Sequence, residues 1–281
     1  MNRVIRLGAV DYLNVRPLVF GLEQRPDIRL RFDVPAVCAA LLASGDIDLG
    51  MVPSITYLGR PGDRIVPGVC IGSDGPVASV ALFTRRPIRE VRTIALDTSS
   101  RTSAALVRIL CRRVFEIAPT FVPHAPDLAS MLAQADAALL IGDPALFVDA
   151  AAWSADKIDL GQVWSELTGL PFVWAVWSGR RDATAGTPVV QVLQDAAERG
   201  HREIRGIAEA YCASHPERIP TAERYLRSNL AFTLSARAIQ GLETYYREAV
   251  DAGVVPETRP LDFYPAAAAR SESPVPPATI P

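Results

Sequence analysis

Lysine and histidine are nearly missing from this sequence, and their scarcity narrows its chemistry. The 29 cationic residues are arginine in every case but Lys157, and the three histidines, His124, His201 and His215, are scattered. Four cysteines, Cys38, Cys70, Cys111 and Cys212, stand far apart, with no Cys-x-x-Cys pair and no Cys/His spacing. Zinc centres and disulfide frameworks depend on such spacing, so neither is expected, and the cysteines read as small buried apolar residues. A phosphate loop, a dinucleotide glycine fingerprint and a Ser/His/Asp order are also missing, which argues against kinase, dehydrogenase and hydrolase chemistry. No metal and no cofactor is expected. A bilayer-crossing helix needs about 18 apolar residues in a row, and no stretch comes near that. The formal net charge is −2 and the pI near 6.0. Without a basic excess, neither nucleic acid nor an anionic membrane is an expected partner. The start, Met1 to Val4, leads straight into a strand pattern interrupted by Arg6 and Asp11, with no apolar secretion core, so a cytoplasmic location is expected.

What the chain does have is apolar residues, at 49%, against 21% charged, the balance of a well-packed globule. Strand-like runs at Val4 to Ala9, Ile28 to Val34 and Ile47 to Val52 alternate with helical runs at Pro17 to Glu23 and Pro35 to Ala43. Val77 to Thr84 reads as one long apolar strand. A second alternation follows: strands at Val91 to Leu96, Thr120 to Pro123 and Ala137 to Ile141, helices at Thr102 to Phe115 and Asp127 to Gln134. Leu41 and Leu132 each sit in a helix and are each followed 12 residues later by a proline, Pro53 and Pro144, beyond an apolar strand. This internal echo points to two lobes of related design. Pro171 to Trp177 reads as a strand returning to the first lobe. The remainder is helical: Val189 to Arg199, Ile204 to Ser214, Pro220 to Leu226 and Ser235 to Ala252, the last with Ile239, Leu242, Tyr246 and Val250 as its core stripe.

The pattern predicts an α/β protein with two lobes, 1–86 plus 176–264 and 87–175, and a Pro/Ala-rich tail at 265–281 with little fixed structure. Two α/β lobes joined by two hinge crossings, with a ligand cleft between, are the plan of the type 2 periplasmic binding proteins.

Ligand contacts in such folds come from loops at strand ends. The loop Asp11-Tyr12-Leu13-Asn14-Val15-Arg16-Pro17 follows the first strand and offers the Asn14 amide, with Pro17 suited to open a helix. Asn14 reads equally as a turn residue. Asp97-Thr98-Ser99-Ser100-Arg101-Thr102-Ser103 puts five hydroxyls and an arginine at a helix N-terminus, where free N–H groups favour an anion. Ordinary capping accounts for one or two of those hydroxyls. Ser73, Gly75 and Ser79 lie in the glycine-rich turn at Ile71 to Ser79, where a ligand can approach the backbone; a plain turn is the other reading. Ser54 and Asp143 end equivalent strands of the two lobes and are expected to face the cleft, although Asp143 also suits a helix cap.

Asp11 to Pro17, Leu49-Gly50-Met51-Val52-Pro53-Ser54, Ser73 to Val80, Asp97 to Ser103 and Leu140-Ile141-Gly142-Asp143 together resemble the menaquinone-biosynthesis family of chorismate dehydratases. Leu242-Glu243-Thr244-Tyr245-Tyr246-Arg247-Glu248-Ala249 resembles the family's C-terminal run, and the likeness extends to about Val255. It implies a cytoplasmic enzyme of the binding-protein fold that opens the futalosine route by removing water from chorismate, leaving 3-[(1-carboxyvinyl)oxy]benzoate. In that reading Asn14 and Ser79 are the catalytic contacts to the ring hydroxyl or the departing proton. Ser54, Ser73, Gly75, Asp143 and the Thr98 to Ser103 loop bind the substrate. Apart from Asp97 and Asp143 these loops offer no base, and because an anionic ligand disfavours a nearby carboxylate, the substrate's own enolpyruvyl carboxylate is expected to take the C3 proton. Two rivals share the scaffold: a non-catalytic anion-binding or sensing protein, and the pathway's sister enzyme that makes a dihydroxynaphthoate, which a catalytic role for His124 would favour.

Overall fold

Short apolar strands alternating with helices produce parallel pairing in each half of the chain, and two strands that run the other way complete the sheets. In the computed structural model, which describes residues 3–265, the strands are β1 (Ile5–Val10), β2 (Ile28–Asp33), β3 (Leu49–Pro53), β4 (Asp63–Ser73) and β5 (Val80–Thr84). They continue as β6 (Thr93–Asp97), β7 (Thr120–His124), β8 (Ala137–Ile141), β9 (Asp156–Asp159) and β10 (Phe172–Arg180). Among the described residues they form two five-stranded sheets, ordered β2-β1-β3-β10-β4 and β7-β6-β8-β5-β9. One strand of each sheet pairs in parallel with both its neighbours, β1 with β2 and β3, β6 with β7 and β8. The antiparallel strand, β10 in one sheet and β5 in the other, is the one that has just crossed from the opposite lobe. Two lobes therefore share one wiring.

Strand membership also moves the division of the chain. Boundaries at 87 and 175 assign Val80–Thr84 to the first lobe and Phe172 to Trp174 to the second, whereas hydrogen bonding places each in the other sheet. The second sheet draws all its strands from 80–159. Of the expected tail, all but Pro265 lies outside the described residues.

Val77 to Thr84 is not one strand. The amides of Val77 and Ala78 turn to the Asp159 carboxylate, at 3.0 and 2.6 Å, and Ala78 takes φ +63°, so regular pairing starts only at Val80. Leu13–Val19 is a 3₁₀ run with Pro17 inside it, not a helix opened by Pro17. It is held by the helix Val189–Arg202, in which Gly200 permits contact: a Cβ there would lie 2.0 Å from the Pro17 carbonyl oxygen. The final helix, Ala236–Asp251, buries Ala238, Leu242, Tyr245, Tyr246 and Ala249, while Ile239 and Val250 are only partly covered. All four cysteines are free and buried, and burial pushes the Cys38, Cys70 and Cys111 thiols up to about 12. Among the described residues no helix is long and apolar enough to cross a membrane.

Candidate functional site

The ends of β1, β3 and β8 and the helix N-terminus that follows β6 meet between the lobes around a cavity with about 550 Å³ free of protein atoms, its mouth included. Its polar lining is Tyr12, Asn14, Ser79, Ser100, Ser103 and Tyr225, and Met51, Val77 and Trp174 are among the apolar residues between them. None of the described residues that line it bears a formal charge.

Asn14, from the loop that follows β1, and Ser79, from the crossing between β4 and β5, share this space. Ser79 is fixed from several sides. Its carbonyl oxygen accepts from Gly142 N at 2.8 Å, and its amide donates to Val77 O at 2.8 Å. Its hydroxyl lies 2.7 Å from the phenol oxygen of Tyr225. The Asp159 carboxylate also accepts from Gly161 and Gln162, the first amides of the helix Leu160–Thr168, so one side chain ties the first crossing to the second. Tyr225, 1% exposed, has Asn14 as a further polar neighbour. Burial pushes its phenol well up, so it keeps its proton. Asn14 Oδ1 is buried with no hydrogen-bond partner among the described residues. A buried amide oxygen left open at a cavity wall is a ready acceptor for a ligand hydroxyl.

Opposite stands the N-terminus of the helix Arg101–Leu110. Ser100 caps it, taking the Ser103 amide at 3.2 Å, and donates to Ser103 Oγ at 2.9 Å. The cap leaves the amides of Arg101 and Thr102 to the positive end of the helix dipole. Ser100 and Ser103 line the cavity, and the rest of this loop is occupied elsewhere. Ser99 donates through its amide and hydroxyl to Asp97, at 2.8 and 2.6 Å. Thr98 is exposed, its amide on His124 O. Arg101 lies along a separate groove beside Arg259. Thr102 Oγ1 accepts from Ile55 N at 3.3 Å and lies 3.4 Å from Ser54 Oγ, which itself donates to Val173 O at 2.7 Å. Thus Ser54 and Thr102 join the lobes behind the cavity instead of lining it.

Three more expected positions are turned aside. Ser73 accepts from Trp174 Nε1 at 3.1 Å, which orients the indole that lines the cavity. Gly75 donates to Ser165 Oγ at 3.0 Å in the crossing. Asp143 caps nothing: it accepts from Leu13 N at 3.2 Å and from the Tyr211 hydroxyl, clasping the second lobe to the first. Burial pushes the Asp143 carboxyl above its ordinary value, against the pull of Tyr211. His124 hydrogen-bonds its neighbour Ala125 O and does not line the cavity. Tyr12, Trp174 and Tyr225 line it without having been singled out from the sequence. Tyr12 follows the Asp11 of a motif that was read, but Tyr225 sits in a helical stretch where a buried aromatic reads as core.

Two lobes of matching wiring, with strand ends and one helix N-terminus turned to a shared hollow, define the binding-protein fold. Solved structures bear this out: a protein from Archaeoglobus fulgidus superposes with a TM-score of 0.72 at 15% identity, covering 89% of this chain and 98% of that one. The alkanesulfonate-binding protein of Xanthomonas axonopodis pv. citri gives 0.63 at 18% identity over 90% and 94%. At these identities the likeness concerns the fold alone. In sequence, the chain belongs to the menaquinone-biosynthesis family, whose model matches residues 5–251. It is 32% identical over 220 residues to the chorismate dehydratase of Thermus thermophilus, across 73% of this chain and 80% of that protein.

Proposed function

We propose that this chain is a chorismate dehydratase acting in menaquinone biosynthesis, and that the cavity between its lobes is the active site. The observation that carries the reading is the uncharged cavity itself, with hydroxyl and amide groups on one side and a capped helix N-terminus on the other. The substrate is a ring with two carboxylates and a hydroxyl. The helix N-terminus at Ser100 and Ser103 receives a carboxylate, and Asn14 and Ser79 meet the ring hydroxyl. Apolar walls around Met51, Val77 and Trp174 cover the ring.

Chorismate loses the C3 hydrogen and the C4 hydroxyl, and the ring becomes aromatic. That gain drives the reaction, so what the protein supplies is orientation and donors fixed in advance. A base is required for the C3 proton. Asp97 is committed to Ser99 and to Ile141 N, and Asp143 to Leu13 and Tyr211; neither lines the cavity. The substrate's own enolpyruvyl carboxylate takes the C3 proton and passes it to the departing C4 hydroxyl, which leaves as water while the Ser79 hydroxyl hydrogen-bonds to that oxygen. The step is a carbon–oxygen lyase reaction of the hydro-lyase type.

Purified protein mixed with chorismate alone tests this by mass spectrometry. A product lighter by one water is expected, and folded Asp97→Asn and Asp143→Asn variants retain turnover. Chorismate bound and recovered intact would instead establish a binding protein on this scaffold. Loss of all turnover in both folded variants would return the base to the protein.

A further inference from the structure

Tyr225 has both Ser79 and Asn14 as polar neighbours, and it comes from neither the strand-end loops nor the crossings. It stands where the helix Ile219–Arg224 widens into the looser turn Tyr225–Asn229. Its hydroxyl is 2.7 Å from Ser79 Oγ, and the Asn14 side chain is its other polar neighbour in the wall. A count of hydrogens decides what such a row can do. Each hydroxyl has a single hydrogen to give, and an amide nitrogen has two. If the Asn14 amide donates to the phenol oxygen, the phenol hydrogen goes to Ser79 Oγ, and the Ser79 hydrogen is left for the cavity. The same direction leaves Asn14 Oδ1 without a donor, and that atom is buried and unpartnered in the structure. The reverse direction would spend the Ser79 hydrogen on Tyr225 and leave Ser79 able only to accept from the substrate.

We propose that Tyr225 is a positioning residue that sets the direction of the row Asn14, Tyr225, Ser79, so that Ser79 meets the ring hydroxyl as a donor and Asn14 Oδ1 meets it as an acceptor. This rests on the dehydratase reading of the cavity. Tyr225 exchanges no proton with the substrate. It keeps its hydrogen throughout, and the C4–O bond breaks with the Ser79 hydroxyl already aimed at the departing oxygen. Burial of the phenol serves that purpose, because a group held neutral is a donor at every working pH. The surrounding core makes the arrangement durable, since Tyr225 and Leu226 are both buried.

The test is a double-mutant cycle on turnover with Tyr225→Phe, Ser79→Ala and the pair, each first shown to fold by circular dichroism and melting. Phenylalanine keeps the ring and removes only the hydroxyl. Tyr225→Phe is expected to lower kcat about tenfold with KM changed by less than about twofold, because the lost bond acts in the transition state. In the Ser79→Ala background the same change is expected to do nothing further, since its effect runs through Ser79. Equal kcat for Tyr225→Phe and the parent, or losses that multiply in the pair, would overturn the positioning role while leaving the dehydratase reading intact. A parent protein that fails to remove water from chorismate would overturn that reading, and the role of Tyr225 with it.

Discussion

Tyr245 and Tyr246, neighbours on one helix, hold carbonyl groups that belong to different lobes. The Tyr245 hydroxyl donates to Thr102 O at 3.0 Å, beside the second sheet, and that of Tyr246 donates to Ser54 O at 2.6 Å, at the end of β3. Ser54 and Thr102 also touch through their side chains, so the last helix clips the two lobes together at their point of contact. Replacing either tyrosine by phenylalanine strands a buried carbonyl at a cost of about 1–3 kcal/mol. Because both act on one contact, the double variant should lose less than the sum of the two, as read from urea unfolding.

Gly142 has φ +66°, and a Cβ placed there would come within 3.0 Å of the Tyr12 ring that lines the cavity. Gly142→Ala should therefore cost about 1–2 kcal/mol from backbone conformation alone. It should also move Tyr12. The expected outcome is a lowered melting temperature together with a raised KM for chorismate.

Asn14→Asp changes almost no volume but puts a negative charge in a wall that has none and that, on the proposed reading, would receive a doubly negative substrate. The variant should fold normally and lose kcat/KM by about a hundredfold or more, since like charges in a secluded site repel strongly. Unchanged kcat/KM would show that the substrate binds elsewhere.

Burial pushes the Asp97 carboxyl above its ordinary value, although hydrogen bonds from Ser99 and Ile141 pull it down. A group raised on folding contributes stability that is full below its unfolded pKa and is lost as the pH climbs through its folded one. The difference in urea midpoint between the parent and Asp97→Asn should therefore shift against the parent as the pH rises from about 3 to about 7. Other carboxylates cancel in that difference. A difference that stays flat would mean Asp97 titrates as it does in the unfolded chain.

The alternation of strands and helices announced the lobes because every parallel pair obeys it, and β1 through β3 and β6 through β8 fall close to where the pattern puts them. The crossings were harder to read. Nothing local marks Asp159 as the acceptor for Val77 and Ala78, since those partners lie some 80 residues away along the chain. Loop composition likewise gathered the serines without sorting them. Asn14, Ser79, Ser100 and Ser103 reach the cavity, while Ser54, Ser73, Ser99 and Thr102 meet other protein groups, a choice made only by packing. Tyr225 escaped notice because helical spacing predicts burial and is silent on which buried hydroxyl stands next to a serine.

The wiring of the sheets also decides which of them has all its strands first as the chain is made. β4 sits at the edge of its sheet, and its pairing partners, in β10 and around Ala231 and Phe263, are translated long after it. The lobe begun second holds its five strands between Val80 and Asp159 and has them all in hand before Phe172 emerges. During synthesis the younger lobe can therefore close first, while the eleven residues of β4 wait for their partner strand. A chain held in that interval would expose β4 as an unpaired sheet edge.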